Sequence, residues 1–193
     1  METLLVKKKE YEIIENIDEY TMKVSRDGEV FIAHLLGYKT RAFSNFSFAY
    51  KRLTNCNIAV PKRRVVDKKK GIVLVDFIDG PTVYEEIADH ELSDAYYQQV
   101  YILSWFARKS GITLDFSPKN FKMYDNRLFY LSYTFDVYKK DEDFSINQSK
   151  YWFYTKDLRE CLISDHIKID MKRIKTEGEI NKEMVLKAVQ FYK

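Results

Sequence analysis

Leu114-Asp115-Phe116-Ser117-Pro118-Lys119-Asn120 is the stretch on which the reading of this chain turns. It sets an Asp and an Asn five residues apart in a loop stiffened by Pro118, between a helical pattern and a short hairpin. Upstream, Ser93 is placed to cap a helix running through Tyr97, Val100, Tyr101, Ser104 and Trp105 to about Lys109, and Gly111 stops it. Downstream, Asp125-Asn126 reads as a turn and Leu128 to Tyr133 as its returning strand. An Asp and an Asn in such a loop also have an ordinary use, since their side chains satisfy nearby backbone groups.

Outward from the loop, Glu19 to Ser25 and Glu29 to Leu36 read as strands joined at Arg26-Asp27-Gly28, a strong hairpin signal. Arg41 to Thr54 changes period: Phe43, Phe46, Ala49, Tyr50 and Leu53 share the face of an amphipathic helix, which Asn57 breaks and Pro61 cannot continue. Two strands follow, Lys62 to Val66 and Ile72 to Ile78, joined by Asp67-Lys68-Lys69-Lys70-Gly71, and Gly80-Pro81 punctuates the chain. Past it the pattern is helical, with Val83 to Asp89, the Ser93 helix, Lys150 to Ser164 and Asn181 to Tyr192. This order predicts an α+β fold of two lobes, residues 1–79 β-rich with one helix and residues 80–193 helical, with chemistry in a cleft between them. There is no internal repeat.

Composition narrows the classes. The 193 residues carry 32 Lys+Arg against 29 Asp+Glu, a net +3 that by itself names no partner. Thirty aromatic residues supply a sizeable core, and six Gly with three Pro exclude collagen-like or low-complexity character. Cys56 and Cys161 are the only cysteines and neither lies in a metal-ligand or Cys-x-x-Cys pattern, so no disulfide or zinc framework is expected. No run approaches the ~18 apolar residues of a membrane span, and no apolar stretch follows Lys7-Lys8-Lys9 as a signal peptide requires. A cytoplasmic protein is expected. Neither Ser132 nor Cys161 has an adjacent His or Lys to activate it, and nothing supports acyl transfer.

The spacing of Asp115 and Asn120 resembles the catalytic loop of protein kinases, and the fuller string is similar to that of bacterial lipopolysaccharide-core (Kdo and heptose) sugar kinases and RIO-like kinases. Ala49-Tyr50-Lys51-Arg52-Leu53 followed by Asn57-Ile58-Ala59-Val60-Pro61 resembles the helix-to-strand junction of that family, and Val75-Asp76-Phe77-Ile78-Asp79-Gly80 its linker between lobes. Residues 20–160 are covered. The resemblance implies a small two-lobed protein-kinase-like fold with ATP and Mg2+ as cofactors where it is active. Asp115 is then the base that accepts a proton from a sugar, lipid or protein hydroxyl, and Asn120 a magnesium ligand. The nucleotide would meet the strand Phe31-Ile32-Ala33-His34, Lys23 on its neighbour, and Asp76.

Departures from that pattern are as informative. His34 stands where active kinases place a lysine against the phosphates, and Arg41 to Leu53 holds no acidic residue to pair with such a lysine. Ser132 stands where a second metal-binding Asp is expected, and a neutral hydroxyl is a poor magnesium ligand. Asn16 to Asp18 has no glycine-rich cradle, and Thr113 replaces the His that often precedes the catalytic Asp. Lys23 and Asp136 are the candidate substitutes for the missing cation and metal ligand. The leading expectation is a pseudokinase-type binding or regulatory module with no cofactor and an unidentified protein partner; the alternative is an active ATP-dependent phosphotransferase. A third class rests on Lys62, Arg63, Arg64, Lys68, Lys69 and Lys70, six cations in nine residues facing a nucleic acid, an anionic membrane or an acidic partner, with a solvated hairpin tip as the plainer reading. Lys172, Arg173 and Lys175 form a second basic stretch. The run Tyr151-Trp152-Phe153-Tyr154 is expected to begin a core helix, and His34 to be a packed core residue.

Overall fold

The computed structural model describes residues 2–168, 173 and 175–191, so Lys172 of the second basic stretch and Tyr192 of the last expected helix lie outside it. Six strands form one antiparallel sheet in the spatial order β1 (Thr3–Val6), β2 (Lys9–Asp18), β3 (Thr21–Arg26), β4 (Glu29–Leu35), β6 (Ile72–Asp76) and β5 (Arg63–Asp67). The Asp27-Gly28 hairpin falls where the sequence places it, with positive φ at both residues. β1 and β2 were not expected. Their two-residue turn is Lys7-Lys8, with φ of 46° and 64°, a left-handed pair that usually carries Asn-Gly, so the usual hairpin signal is missing from the sequence.

One face of the sheet buries Val6, Tyr11, Val24, Phe31, Ala33, Ile72 and Leu74 as a continuous cluster. These positions alternate along each strand, as a half-buried sheet requires. α1 (Arg41–Asn55) opens at Thr40, whose Oγ1 accepts from the Phe43 amide at 3.1 Å, and Phe46, Ala49 and Leu53 are its buried positions. The β5–β6 turn closes on Gly71 at φ +68°, where a Cβ would lie 1.9 Å from the Gly37 carbonyl oxygen. No side chain fits there.

The chain divides into two compact units, residues 1–52 with 60–79, and residues 53–59 with 80–193. The end of α1 and the segment after it thus belong to the helical unit, where the Tyr130 amide donates to the Ala59 carbonyl at 2.8 Å. In that unit α2 (Val83–Asp89) starts in a reciprocal capping box between Thr82 and Glu85. α3 (Asp94–Lys109) begins after Ser93, whose side chain makes no capping bond. β7 (Ile112–Thr113) leads into the quoted loop, which ends in a single 3-10 turn over Pro118–Asn120. β8 (Phe121–Tyr124) and β9 (Arg127–Tyr130) form the hairpin, and β10 (Asp136–Val137) returns to pair with β7. Short turns occupy Lys140 to Tyr151, followed by α4 (Lys156–Ser164) and α5 (Glu177–Phe191).

The helix expected from Lys150 begins six residues later, because Thr155 caps it through its Oγ1 and the Leu158 amide, 3.2 Å apart. The aromatic run stays outside the helix but still supplies core. Trp152 and Phe153 are buried, and Phe116, Phe121, Tyr130, Phe144 and Trp152 pack with ring centroids 5.1 to 5.9 Å apart. Each such pair adds about 1 kcal/mol beyond the area it buries. Among the described residues no helix is long and apolar enough to cross a membrane.

Candidate functional site

In the helical unit the quoted loop is held by its buried members. Leu114, Phe116 and Pro118 point into the core, leaving Asp115 exposed and Asn120 half-buried. The Asp115 carboxylate accepts from the Ser117 amide at 3.0 Å, a local turn, and the Asn120 side-chain amide donates to the Asp115 carbonyl at 3.2 Å. Two residues far along the chain fix this geometry. The Tyr130 hydroxyl accepts from the Asp115 amide at 3.3 Å and donates to the Thr134 carbonyl at 3.1 Å, tying the loop to the stretch after β9. The Trp152 indole donates to the Phe116 carbonyl at 2.6 Å. Neither role was readable in the sequence, since a Tyr at the end of a strand and a Trp in an aromatic run both look like core.

Ser132 lies two residues past β9, and its hydroxyl shares a 2.8 Å hydrogen bond with the Thr134 hydroxyl. Asp136 sits on β10 opposite Thr113, its carboxylate 3.5 Å from the Lys139 ammonium, which also holds Glu142 at 3.0 Å. Asp115, Asp136, Glu142 and Gln148 line one cleft of about 190 Å³. On the other side of the loop Lys119 donates to Asp165 at 2.7 Å, and Tyr84 joins the same carboxylate at 2.6 Å. Those two contacts hold the Asp165 carboxyl below the usual carboxylate range.

In the β-rich unit, Thr21 pairs across to His34 and Lys23 to Ile32, and directly opposed residues share a face. Lys23 and His34 therefore lie on one face, the face opposite the apolar cluster. His34 packs against Phe46 of α1, ring centroids 5.2 Å apart, and burial lowers its pKa to about 4 despite the opposing pull of Asp18. It is a neutral imidazole at neutral pH. The Lys23 ammonium rests over the Phe77 ring, 4.0 Å from its centroid. Asp76 pairs opposite Phe31, which puts it on the other face, and its carboxylate forms an ion pair with Arg64. Lys23 and His34 are thus brought together, and Asp76 is not brought to them.

A scan against protein-family models finds no match, and a search of the curated proteins finds none. A search of solved structures finds the Cydia pomonella granulovirus kinase PK-1, at a TM-score of 0.54 and 15% identity over 84% of this chain and 76% of that chain. The fold is protein-kinase-like. The β-rich unit with α1 is the strand-bearing lobe of that fold, and the unit carrying Asp115 its helical lobe.

Proposed function

We propose that this kinase-like chain is a pseudokinase-type binding or regulatory module that does not transfer phosphate from magnesium ATP. The observation that carries the reading is Ser132. At the place after the catalytic-loop hairpin where a kinase needs a carboxylate, this chain offers a hydroxyl already bonded to Thr134. Magnesium favours hard, anionic oxygen donors in octahedral geometry. The Asn120 amide, bonded to the Asp115 carbonyl, and the Ser132 hydroxyl are both neutral, so this donor set does not fit the ion. Neutral His34 supports the same conclusion for the phosphates, since the position lacks the fixed cation of an active kinase. The partner in this reading is another protein, recognised through the surface of the module.

One observation favours the second reading, an ATP-dependent phosphotransferase. Exposed Asp115 and Asp136 line the same cleft, which would let Asp115 act as base toward a sugar, lipid or protein hydroxyl while Asp136 binds metal. ATP labelled in its γ-phosphate separates the two. The module reading predicts label transfer and phosphate release no greater for the wild type than for Asp115→Asn. Turnover by the wild type that Asp115→Asn abolishes would establish the phosphotransferase instead.

A further inference from the structure

The six-residue basic cluster in the sequence is not one patch. Arg64 is engaged by Asp76, and Arg63 stacks over the Tyr50 ring, 4.6 Å from its centroid. Both sit at the start of β5. Lys68, Lys69 and Lys70 sit past its far end, about 13 Å away at ~3.3 Å of rise per residue. There they meet Lys7 and Lys8, which precede them by some sixty residues. Asp67 makes this convergence: its carboxylate is buried at 6% exposure and accepts from the Lys7 amide at 2.9 Å, the Lys69 amide at 3.0 Å and the Lys70 amide at 3.2 Å. These backbone donors, Lys7 first, hold its pKa below the usual carboxylate range, so at neutral pH an ionised carboxylate staples two lysine turns together.

We infer that this corner of the sheet, formed by the β1–β2 and β5–β6 turns, docks on the surface of a membrane rich in anionic phospholipid. Lys7, Lys8, Lys68 and Lys69 are exposed and form no ion pair among the described residues, whereas the Lys70 ammonium is turned back onto the Leu5 carbonyl at 2.8 Å. Leu5, itself 43% exposed, and Val66 line a shallow cavity of about 510 Å³ among these lysines. Cations around a small apolar floor at the tips of two turns complement anionic headgroups over acyl chains. Nucleic acid fits less well, because the lining holds no aromatic ring for stacking and no arginine fork. Lys7 and Lys8 occupy left-handed backbone that Asn and Gly adopt more easily. This inference is independent of the reading of the nucleotide site.

Sedimentation with vesicles tests it, comparing equal parts phosphatidylglycerol and phosphatidylcholine with phosphatidylcholine alone. The wild type binds the anionic vesicles only, and added salt weakens the binding. Lys7→Asn with Lys8→Gly suits the turn better than the native pair, so the double variant melts no lower than the wild type yet partitions roughly thirtyfold less, at ~1 kcal/mol per lysine. Lys68→Gln with Lys69→Gln gives a similar loss, and Lys62→Gln at the other end of β5 much less. Failure to bind anionic vesicles, equal binding to neutral ones, or loss in the variants of RNA-oligonucleotide binding without any vesicle binding would each overturn the inference.

Discussion

His34 is a histidine whose protonation is set by its packing. Burial against Phe46 keeps it neutral, with its pKa lowered to about 4 from an unfolded value of 6.5. As pH falls from about 6.5 to about 4 the unfolded chain takes up a proton that the folded chain refuses, so stability falls over that window and levels off below it. The full effect is ~3 kcal/mol. Urea unfolding of wild type and His34→Gln at pH 7 and pH 4 reads it: the wild type loses more stability by about that amount, and parallel losses would mean the imidazole is not buried as described. Asp67 is the second decisive residue. Asp67→Ala leaves three backbone donors of two lysine turns without their acceptor, for an expected loss of ~1 to 3 kcal/mol in the same measurement, with Lys62→Gln as a neutral control.

At the scale of elements, the Leu114–Asn120 loop is shaped by its own buried residues and by two residues far along the chain. Leu114, Phe116 and Pro118 are buried, and Tyr130 and Trp152 bind its backbone. Tyr130→Phe removes one hydroxyl that serves both Asp115 and Thr134; we expect ~1 to 2 kcal/mol of lost stability and faster amide exchange at Asp115. Unchanged exchange there would remove Tyr130 as the organiser of the loop. For α2, Thr82→Ala dissolves the capping box and costs ~1 kcal/mol, read as a lowered melting temperature.

What the sequence disclosed follows from the range of the forces involved. The β3–β4 hairpin, α1, α3 and the β8–β9 hairpin were legible because each is written in local chemistry, in Asp27-Gly28, in the Phe46-to-Leu53 spacing, in Gly111 and in Asp125-Asn126. The spacing of Asp115 and Asn120 was legible for the same reason. β1 and β2 were hidden by a Lys-Lys turn, the start of α4 was masked by aromatic residues buried outside a helix, and the pairing of two lysine turns by Asp67 spans too many residues for any local pattern.

At the scale of the whole molecule, buried aromatic and aliphatic packing maintains a protein-kinase-like fold, while in the reading proposed above the positions that would meet magnesium ATP carry the neutral side chains of His34, Asn120 and Ser132. The two properties separate because the core depends on Phe116, Phe121, Tyr130 and Trp152, and metal binding would depend on Asn120 and Ser132. Calorimetric titration of the full chain with ATP, with and without Mg2+, tests that separation most directly, with Ser132→Asp alongside. The account predicts that Mg2+ adds no saturable heat for the wild type. Saturable binding of ATP by the wild type that appears only when Mg2+ is present would contradict it.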